Sequence, residues 1–244
     1  MSEPMQDTCA NRLLRSLHPD DFALLQGHVR LATLAVGDVL IRPDTAIPQV
    51  AFVEQGIVSL IGNAPDGERI EVGLVGFEGL VGTPVLLGAG QTPNEAKVQA
   101  LGLAHVMPAE AFGEVLRKSP RLHRQLLCYV HVLSVQIAST ALANGRYKLP
   151  ARVARWLLMC HDRTDGDELP TTHRFLSLML GVQRPGLTAA ISALERSGLI
   201  QRQRGILTIR DRESLLKVAG ASYGVPEAEY ARLIASPGRA AGPS

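Results

Sequence analysis

The sequence predicts an α+β chain: an N-terminal antiparallel β-roll of jelly-roll kind, one long helix, and a compact C-terminal unit of short helices closed by a β-hairpin. Three observations predict it. Between about Leu34 and Met107 the text is glycine-rich and runs in short alternating apolar stretches. From Pro120 to Asn144 there is no glycine or internal proline, and apolar residues recur at helical spacing. From Leu180 onward, two helix-like runs broken at Gly181 are followed by two short strand-like runs around an Arg-Gly turn.

With 244 residues, 46% of them hydrophobic and only 20% charged, the composition is that of a packed globular protein and excludes a mainly disordered one. No run of 18 apolar residues occurs, and the opening MSEPMQDTCANRLLRSLHPDD lacks the apolar centre of a secretion signal, so a cytoplasmic protein without membrane partners is expected. Cys9, Cys128 and Cys160 are far apart and odd in number, which suggests neither a disulfide framework nor a CxxC metal site. The net charge of +2 is unevenly spread: Gly145 to Arg212 holds 12 Lys and Arg against 6 Asp and Glu, and the rest of the chain is net acidic. A basic module joined to an acidic one is what a nucleic-acid-binding half requires, because cations must face phosphates.

In chain order, Cys9 to Gly27 reads as a short helical cap. The runs AVGDVLI, VAFVEQGIVSLIG, RIEVGLVG and AKVQALGLAHVM read as strands. NAPDGE, Asn63 to Glu68, has the composition of a tight turn, so Val58–Gly62 and Arg69–Leu74 should pair as a hairpin. In its second strand Ile70, Val72 and Leu74 would be buried, and Arg69, Glu71 and Gly73 would lie on a wetter face.

On the long helix, Leu126, Val130, Leu133, Ile137, Thr140 and Asn144 are spaced by 4, 3, 4, 3 and 4 residues, a coiled-coil seam that predicts a parallel dimer. The polar flanks Arg124, Gln125 and Gln136 support that choice. Asn144 and Gly145 should stop the helix, and Pro150 suits the first turn of the next, Ala151 to Arg163. There Val153, Trp156, Leu157 and Cys160 share one side, which makes Trp156 a packing residue. TDGDELP reads as a polar turn.

Thr172 can cap a helix over His173–Leu180, Gly181 permits a left-handed turn, and Val182 plugs inward. A second helix starts at once, with Pro185 in its first turn and Leu187, Ile191 and Leu194 buried. Its outer edge holds Gln183, Arg184, Gly186, Thr188, Ala189 and Ser192: small residues around one fork-shaped cation. This is helix-turn-helix geometry, in which the start of the second helix meets base edges in the major groove. Arg184 matches guanine O6 and N7, and Gln183 suits adenine or a phosphate. Leu199–Arg202 and Ile206–Ile209 then form a hairpin wing whose Arg202 and Arg204 suit phosphates.

These residues resemble a Crp/Fnr-type transcriptional regulator over nearly the whole chain. The matching motifs are Leu180-Gly181-Val182-Gln183-Arg184, the hairpin from Gly198-Leu199-Ile200 to Gly205-Ile206-Leu207, and Phe52-Val53-Glu54-Gln55-Gly56. The resemblance implies a cyclic-nucleotide-binding-like domain over residues 1–118, a dimerisation helix over 119–145, a winged helix-turn-helix over 146–225 and a C-terminal tail over 226–244. It makes Thr172 a phosphate contact and Gln183, Arg184 and Thr188 operator contacts. Implied partners are double-stranded DNA, a second copy of the chain and RNA polymerase. Members that read a guanine-rich half-site often place a glutamate after the arginine, where this chain has Pro185, so the operator sequence does not carry over.

The effector side departs further. Relatives that bind cyclic AMP use a Gly-Glu pair for the ribose and an Arg-Ser pair for the phosphate; here Gly82 and Thr83 stand for the first and Asn94 and Glu95 for the second. An anion at Glu95 would meet like charge, so cyclic AMP is not expected and no cofactor is predicted. The cysteine cluster of an iron–sulfur sensor is absent. Cys128 and His131 lie one turn apart, but such a pair is more often solvated or packed, and His18, His28 and His105 show no metal spacing. No catalytic constellation stands out, so the chain is not expected to be an enzyme. The alternative is a cyclic-nucleotide-like sensor that docks a protein partner and binds no DNA; it would want an acidic or apolar outer face on the second helix.

Overall fold

The computed structural model describes residues 4–235. After a 3₁₀ turn at Gln6–Thr8, helices α1 (Arg12–Arg15) and α2 (Pro19–Gln26) form the expected cap. Six strands follow: β1 (Arg30–Leu34), β2 (Val39–Ile41), β3 (Gln49–Asn63), β4 (Arg69–Val75), β5 (Leu80–Val81) and β6 (Glu95–Pro108), with the short helix α3 (Thr83–Leu86) between the last two. All pair antiparallel in the order β1-β6-β3-β4, with β2 added to β6 and β5 to β3.

The long strands β3 and β6 slip register between Val53 and Val58, which bends the sheet into a roll. Gly56 sits at that bend with φ +85°, and a Cβ there would lie 2.6 Å from the Ala100 carbonyl oxygen, so only glycine fits. The expected hairpin forms but is longer than expected: Asn63, read as part of the turn, pairs with Arg69, Gly62 pairs with Ile70, and the register shifts between Leu60 and Ile61. The outer face of β4 differs from expectation. Glu71 is buried, because a helix of the C-terminal half covers it and Trp156 Nε1 donates a 2.7 Å hydrogen bond to its Oε1.

Helix α4 (Ala109–Lys118) leads into α5 (Pro120–Arg146), which Ser119 caps by accepting from the Leu122 N–H at 3.1 Å. α5 runs through Asn144 and Gly145 rather than stopping there: Asn144 Oδ1 accepts from Arg152 Nε at 3.1 Å, a tertiary bond that supports the last turn, and Tyr147 then turns extended. Leu126 and Leu133, expected on a dimer seam, instead pack into the chain's own core. Gln136, read as a polar flank, is buried as well, accepting from the Leu74 N–H at 2.7 Å and donating to the Leu74 carbonyl. The bare face of α5 instead carries Leu127, Ser134, Ile137, Ala138, Ala141 and Leu142, the last 55% exposed. Having one apolar face on the roll and another uncovered makes α5 long and apolar enough to cross a bilayer by length and composition, with mean hydropathy 1.7 over its most apolar stretch.

The C-terminal half comprises α6 (Leu149–His161), β7 (Glu168–Pro170), α7 (His173–Leu180), α8 (Arg184–Arg196), β8 (Ile200–Gln203), β9 (Ile206–Ile209), α9 (Arg212–Ala219) and α10 (Val225–Leu233). The stretch read as a polar turn supplies β7, a third strand on the outside of β9, because Leu169 is buried opposite Leu207. The predicted tail over 226–244 is corrected at its start. Pro226 to Leu233 belongs to α10, which packs back on α5 and the roll through Tyr230 Oη donating to the Glu78 carbonyl at 2.9 Å; residues 236–244 lie outside the described residues. Ile57 and Leu74 of the roll share one apolar core with Trp156, Leu157 and Cys160 of α6. Beside that core Arg163 pairs with Glu78 at 2.7 Å.

Candidate nucleic-acid interface

Each turn of the helix-turn-helix has a visible cause. Thr172 Oγ1 accepts from the Phe175 N–H at 3.2 Å and so caps α7. Gly181 ends the helix in the left-handed region, φ 60° and ψ 45°, and the Val182 N–H then returns to the Ser177 carbonyl at 3.0 Å. Gln183 is extended at the N-terminus of α8 and makes no side-chain cap bond, while Arg184 and Pro185 form the first helical positions. Leu187, Ile191 and Leu194 are buried beneath.

The opposite edge faces water. Gln183, Arg184, Gly186, Thr188 and Ala189 are all exposed, as is Thr172 at the start of α7. Among the described residues Arg184 has no salt bridge or hydrogen-bonded side-chain partner. It projects beside the positive end of the α8 dipole, where an anion or a base acceptor is favoured. Thr188 Oγ1 lies 3.4 Å from His173 Nδ1, and burial lowers the His173 pKa, holding that imidazole neutral.

The wing is anchored to the same edge, because the Thr171 N–H donates to the Gly205 carbonyl at 2.9 Å and draws the β8–β9 turn toward the N-terminus of α7. Its two arginines differ. Arg204 is exposed and unpaired among the described residues, whereas Arg202 is held by Glu195, with the guanidinium at 3.3 Å and the Arg202 N–H at 3.0 Å. Thr172, Val182, Gln183 and Arg184 line one side of a groove of about 770 Å³, and Glu68 and Arg69 of the β3–β4 hairpin line the other.

The remaining predicted residues fall elsewhere. Of the seam, Val130 is half-buried and Ile137 exposed; Thr140 Oγ1 donates to the Gln136 carbonyl and accepts from Arg155, and Asn144 serves Arg152. Gly82, φ 112°, starts α3 against Val50 at one end of β3, and Thr83 is the first residue of that helix. Glu95 pairs with Ile61 at the other end of β3, where Arg69 neutralises it at 2.5 Å, and Asn94 beside it is exposed. His131 is bound by Glu229 at 2.9 Å rather than directed at Cys128. Sequence spacing gave no sign of one grouping: Cys9, Glu54 and His105, far apart in the chain, meet at one end of the roll. Only the β3–β6 register and the fold-back of the N-terminal cap bring them together.

Residues 31–119 match the cyclic nucleotide-binding domain, and residues 151–218 match the Crp-like helix-turn-helix domain. No curated protein matches the chain. Among solved structures, FixK2 from Bradyrhizobium japonicum superposes with a TM-score of 0.68 at 17% identity, over 79% of this chain and 98% of that one. A Crp/Fnr-family protein from Eubacterium rectale gives 0.66 at 17% identity, over 85% and 97%. The c-di-GMP responsive global regulator CLP of Xanthomonas campestris gives 0.62 at 14% identity, over 79% and 99%. At these identities the likeness is one of fold.

Proposed function

Because this chain belongs to the Crp/Fnr family, a transcription regulator with a helix-turn-helix DNA-binding domain behind a cyclic nucleotide-binding domain, we propose that it acts in the cytoplasm as a homodimer reading a palindromic operator. The observation that carries this reading is Arg184 at the start of α8, exposed and unpaired among the described residues, flanked by Gly186, Thr188 and Ala189, whose small side chains let the helix sit deep in a groove. The partner copy joins along the bare face of α5, where Ser134, Ala138 and Ala141 allow close helix approach between Leu127, Ile137 and Leu142. Two α8 helices about 34 Å apart then enter successive major grooves. Gln183 and Arg184 read bases, Thr172, Arg202 and Arg204 hold phosphates, and RNA polymerase is the partner at the promoter.

The effector on this reading is not cyclic AMP. Glu95, at the position where relatives receive the cyclic phosphate, is an acid already satisfied by Arg69, and Thr83 has no carboxylate to offer a ribose. The family is one of transcription regulators rather than enzymes.

Selection of bound sites from random duplex DNA, followed by titration of Arg184→Ala on the winning site, tests the reading. Loss of about 1–3 kcal/mol on that site, with relaxed choice at one base pair, is expected. Equal losses on selected and scrambled duplexes would refute base reading by Arg184.

A further inference from the structure

Cys9 precedes α1, Glu54 lies in the middle of β3, and His105 stands opposite Phe52 on β6. All three are buried, and their ligand atoms lie within 4.8 Å of one another. His105 Nε2 is 4.0 Å from Cys9 Sγ and 3.5 Å from Glu54 Oε1.

The grouping is rigidly built. Glu54 accepts from the N–H groups of Ala10 at 2.6 Å and Asn11 at 3.2 Å, the two residues after Cys9, which fixes the thiol relative to the carboxylate. Asn11 Nδ2 in turn donates to the Val53 and Gly79 carbonyls at 2.7 and 2.8 Å. On one side the three residues line a cavity of about 670 Å³, shared with Met5, Val29 and Leu103.

A cysteine, a histidine and a carboxylate also make up a nucleophilic relay, but the geometry argues against that use. A relay needs the thiol on one imidazole nitrogen and the carboxylate on the other. Here both face Nε2, and Nδ1 is buried without a partner among the described residues. Three unlike donors converging on one point are the pattern of a metal site. Around a tetrahedral ion with bonds of about 2.0–2.3 Å the ligand atoms would be about 3.3–3.6 Å apart, so the two separations from His105 Nε2 need close by only a few tenths of an ångström, while Cys9 Sγ and Glu54 lie within 4.8 Å of each other.

We propose that Cys9 Sγ, Glu54 and His105 Nε2 bind one divalent transition-metal ion of borderline softness, such as zinc, with its fourth position open to the cavity. The mixture of thiolate, imidazole and carboxylate selects that class over magnesium or calcium, which take oxygen alone. The ion takes the place of the thiol proton. Without it burial pushes the Cys9 thiol up to about 11 and lowers the His105 pKa, so the group as it stands holds a protonated thiol and a neutral imidazole. Binding therefore releases one proton and neutralises a buried carboxylate. It would tie the N-terminal cap to the two long strands of the roll.

Cobalt(II), a coloured stand-in for zinc, gives the test. The full-length chain, reduced and stripped by chelator, should take up one cobalt per chain with a thiolate-to-cobalt charge-transfer band that zinc displaces. Cys9→Ser should abolish the band and Cys128→Ser should leave it. His105→Ala should weaken binding by more than the roughly 10–100-fold that loss of an outer partner costs. In the unmutated chain, zinc should slow alkylation of Cys9 and leave that of Cys128 unchanged, a reading that needs no variant to fold. Absence of the band from the unmutated chain, its survival in Cys9→Ser, or equal alkylation of Cys9 with and without zinc would each overturn the site.

Discussion

Two regions of this molecule use arginine in opposite ways. At the joint between the roll and the C-terminal half, Arg163 is buried against Glu78 and donates to the Met159 carbonyl, while Trp156 meets Glu71 alongside. At the outer edge, Arg184 and Arg204 face water with no partner among the described residues. A buried cation must have its hydrogen bonds and counter-charge supplied by the fold, and so it fixes geometry. An exposed, unpaired one keeps its capacity for a ligand. The joint sets where the outer edge points; on the proposed reading, the outer edge does the binding.

On the proposed reading, the largest effect should come from separating the two outer edges of the dimer. Ala138 is exposed on the bare face of α5, and Ala138→Glu is tolerated by the helix itself, because glutamate is a good helix former. In a twofold dimer the new carboxylates would face one another. The variant should sediment as a monomer that keeps its helical spectrum, and its affinity for the palindromic site should drop about 10²–10⁴-fold, the advantage of linked binding. An Ala138→Glu protein that still binds the full site as a dimer would move the interface off this face.

The joint is expected to respond to pH. Burial raises the Glu71 pKa from 4.5 to about 7. For an acid raised in the folded state, the packed form keeps its proton while the opened form loses it, so the joint is tightest at and below about pH 4.5. It weakens as pH rises to about 7 and is level above that. The difference amounts to about 3 kcal/mol. Trp156, the only tryptophan, donates to this carboxyl, so its fluorescence reports the contact directly. Thermal midpoints of the unmutated chain should fall across that window relative to those of Glu71→Gln, and parallel slopes in the two proteins would assign the effect to another group.

These two regions also differ in how far the sequence discloses them. The outer edge is local: Thr172, Gly181, Arg184 and the wing lie within about forty residues, and cap, left-handed turn and helical period place each side chain without help from the rest of the chain. The joint is not local. Alternation along β4 puts Ile70 and Val72 on the core face and Glu71 and Gly73 on the wetter one, yet Ile70 and Val72 are half-buried and Glu71 and Gly73 buried, because alternation cannot show that helices of the rest of the chain cover the second face. On α5 a 4-3 spacing fits two apolar stripes equally well, one through Leu126 and Leu133 and one through Leu127, Ser134 and Ala141; only contact with the roll decides which is used up internally. The polar stretch before α7 became β7 because β9 offered Leu169 a buried partner. Cys9, Glu54 and His105 are the extreme case, since each is unremarkable in its own segment and the grouping exists only through register.

The smallest expected effect sharpens the contrast within the outer edge itself. Arg204 at the wing tip is unpaired among the described residues, whereas Arg202 must leave Glu195 before it can reach a phosphate. Arg204→Ala should therefore weaken all duplexes alike and reduce the slope of log affinity against log salt by about 1. Arg202→Ala should reduce it by less, because a carboxylate already offsets that charge. The ion pair itself is half-exposed, and such pairs contribute only about 0–1 kcal/mol to folding, so loss of the fold cannot imitate the difference. Glu195→Gln supplies the converse: freeing Arg202 from its partner should steepen the salt slope. If Arg202→Ala proves the more costly change, the wing must turn its β8 side toward the DNA, exchanging the Glu195 contact for a phosphate.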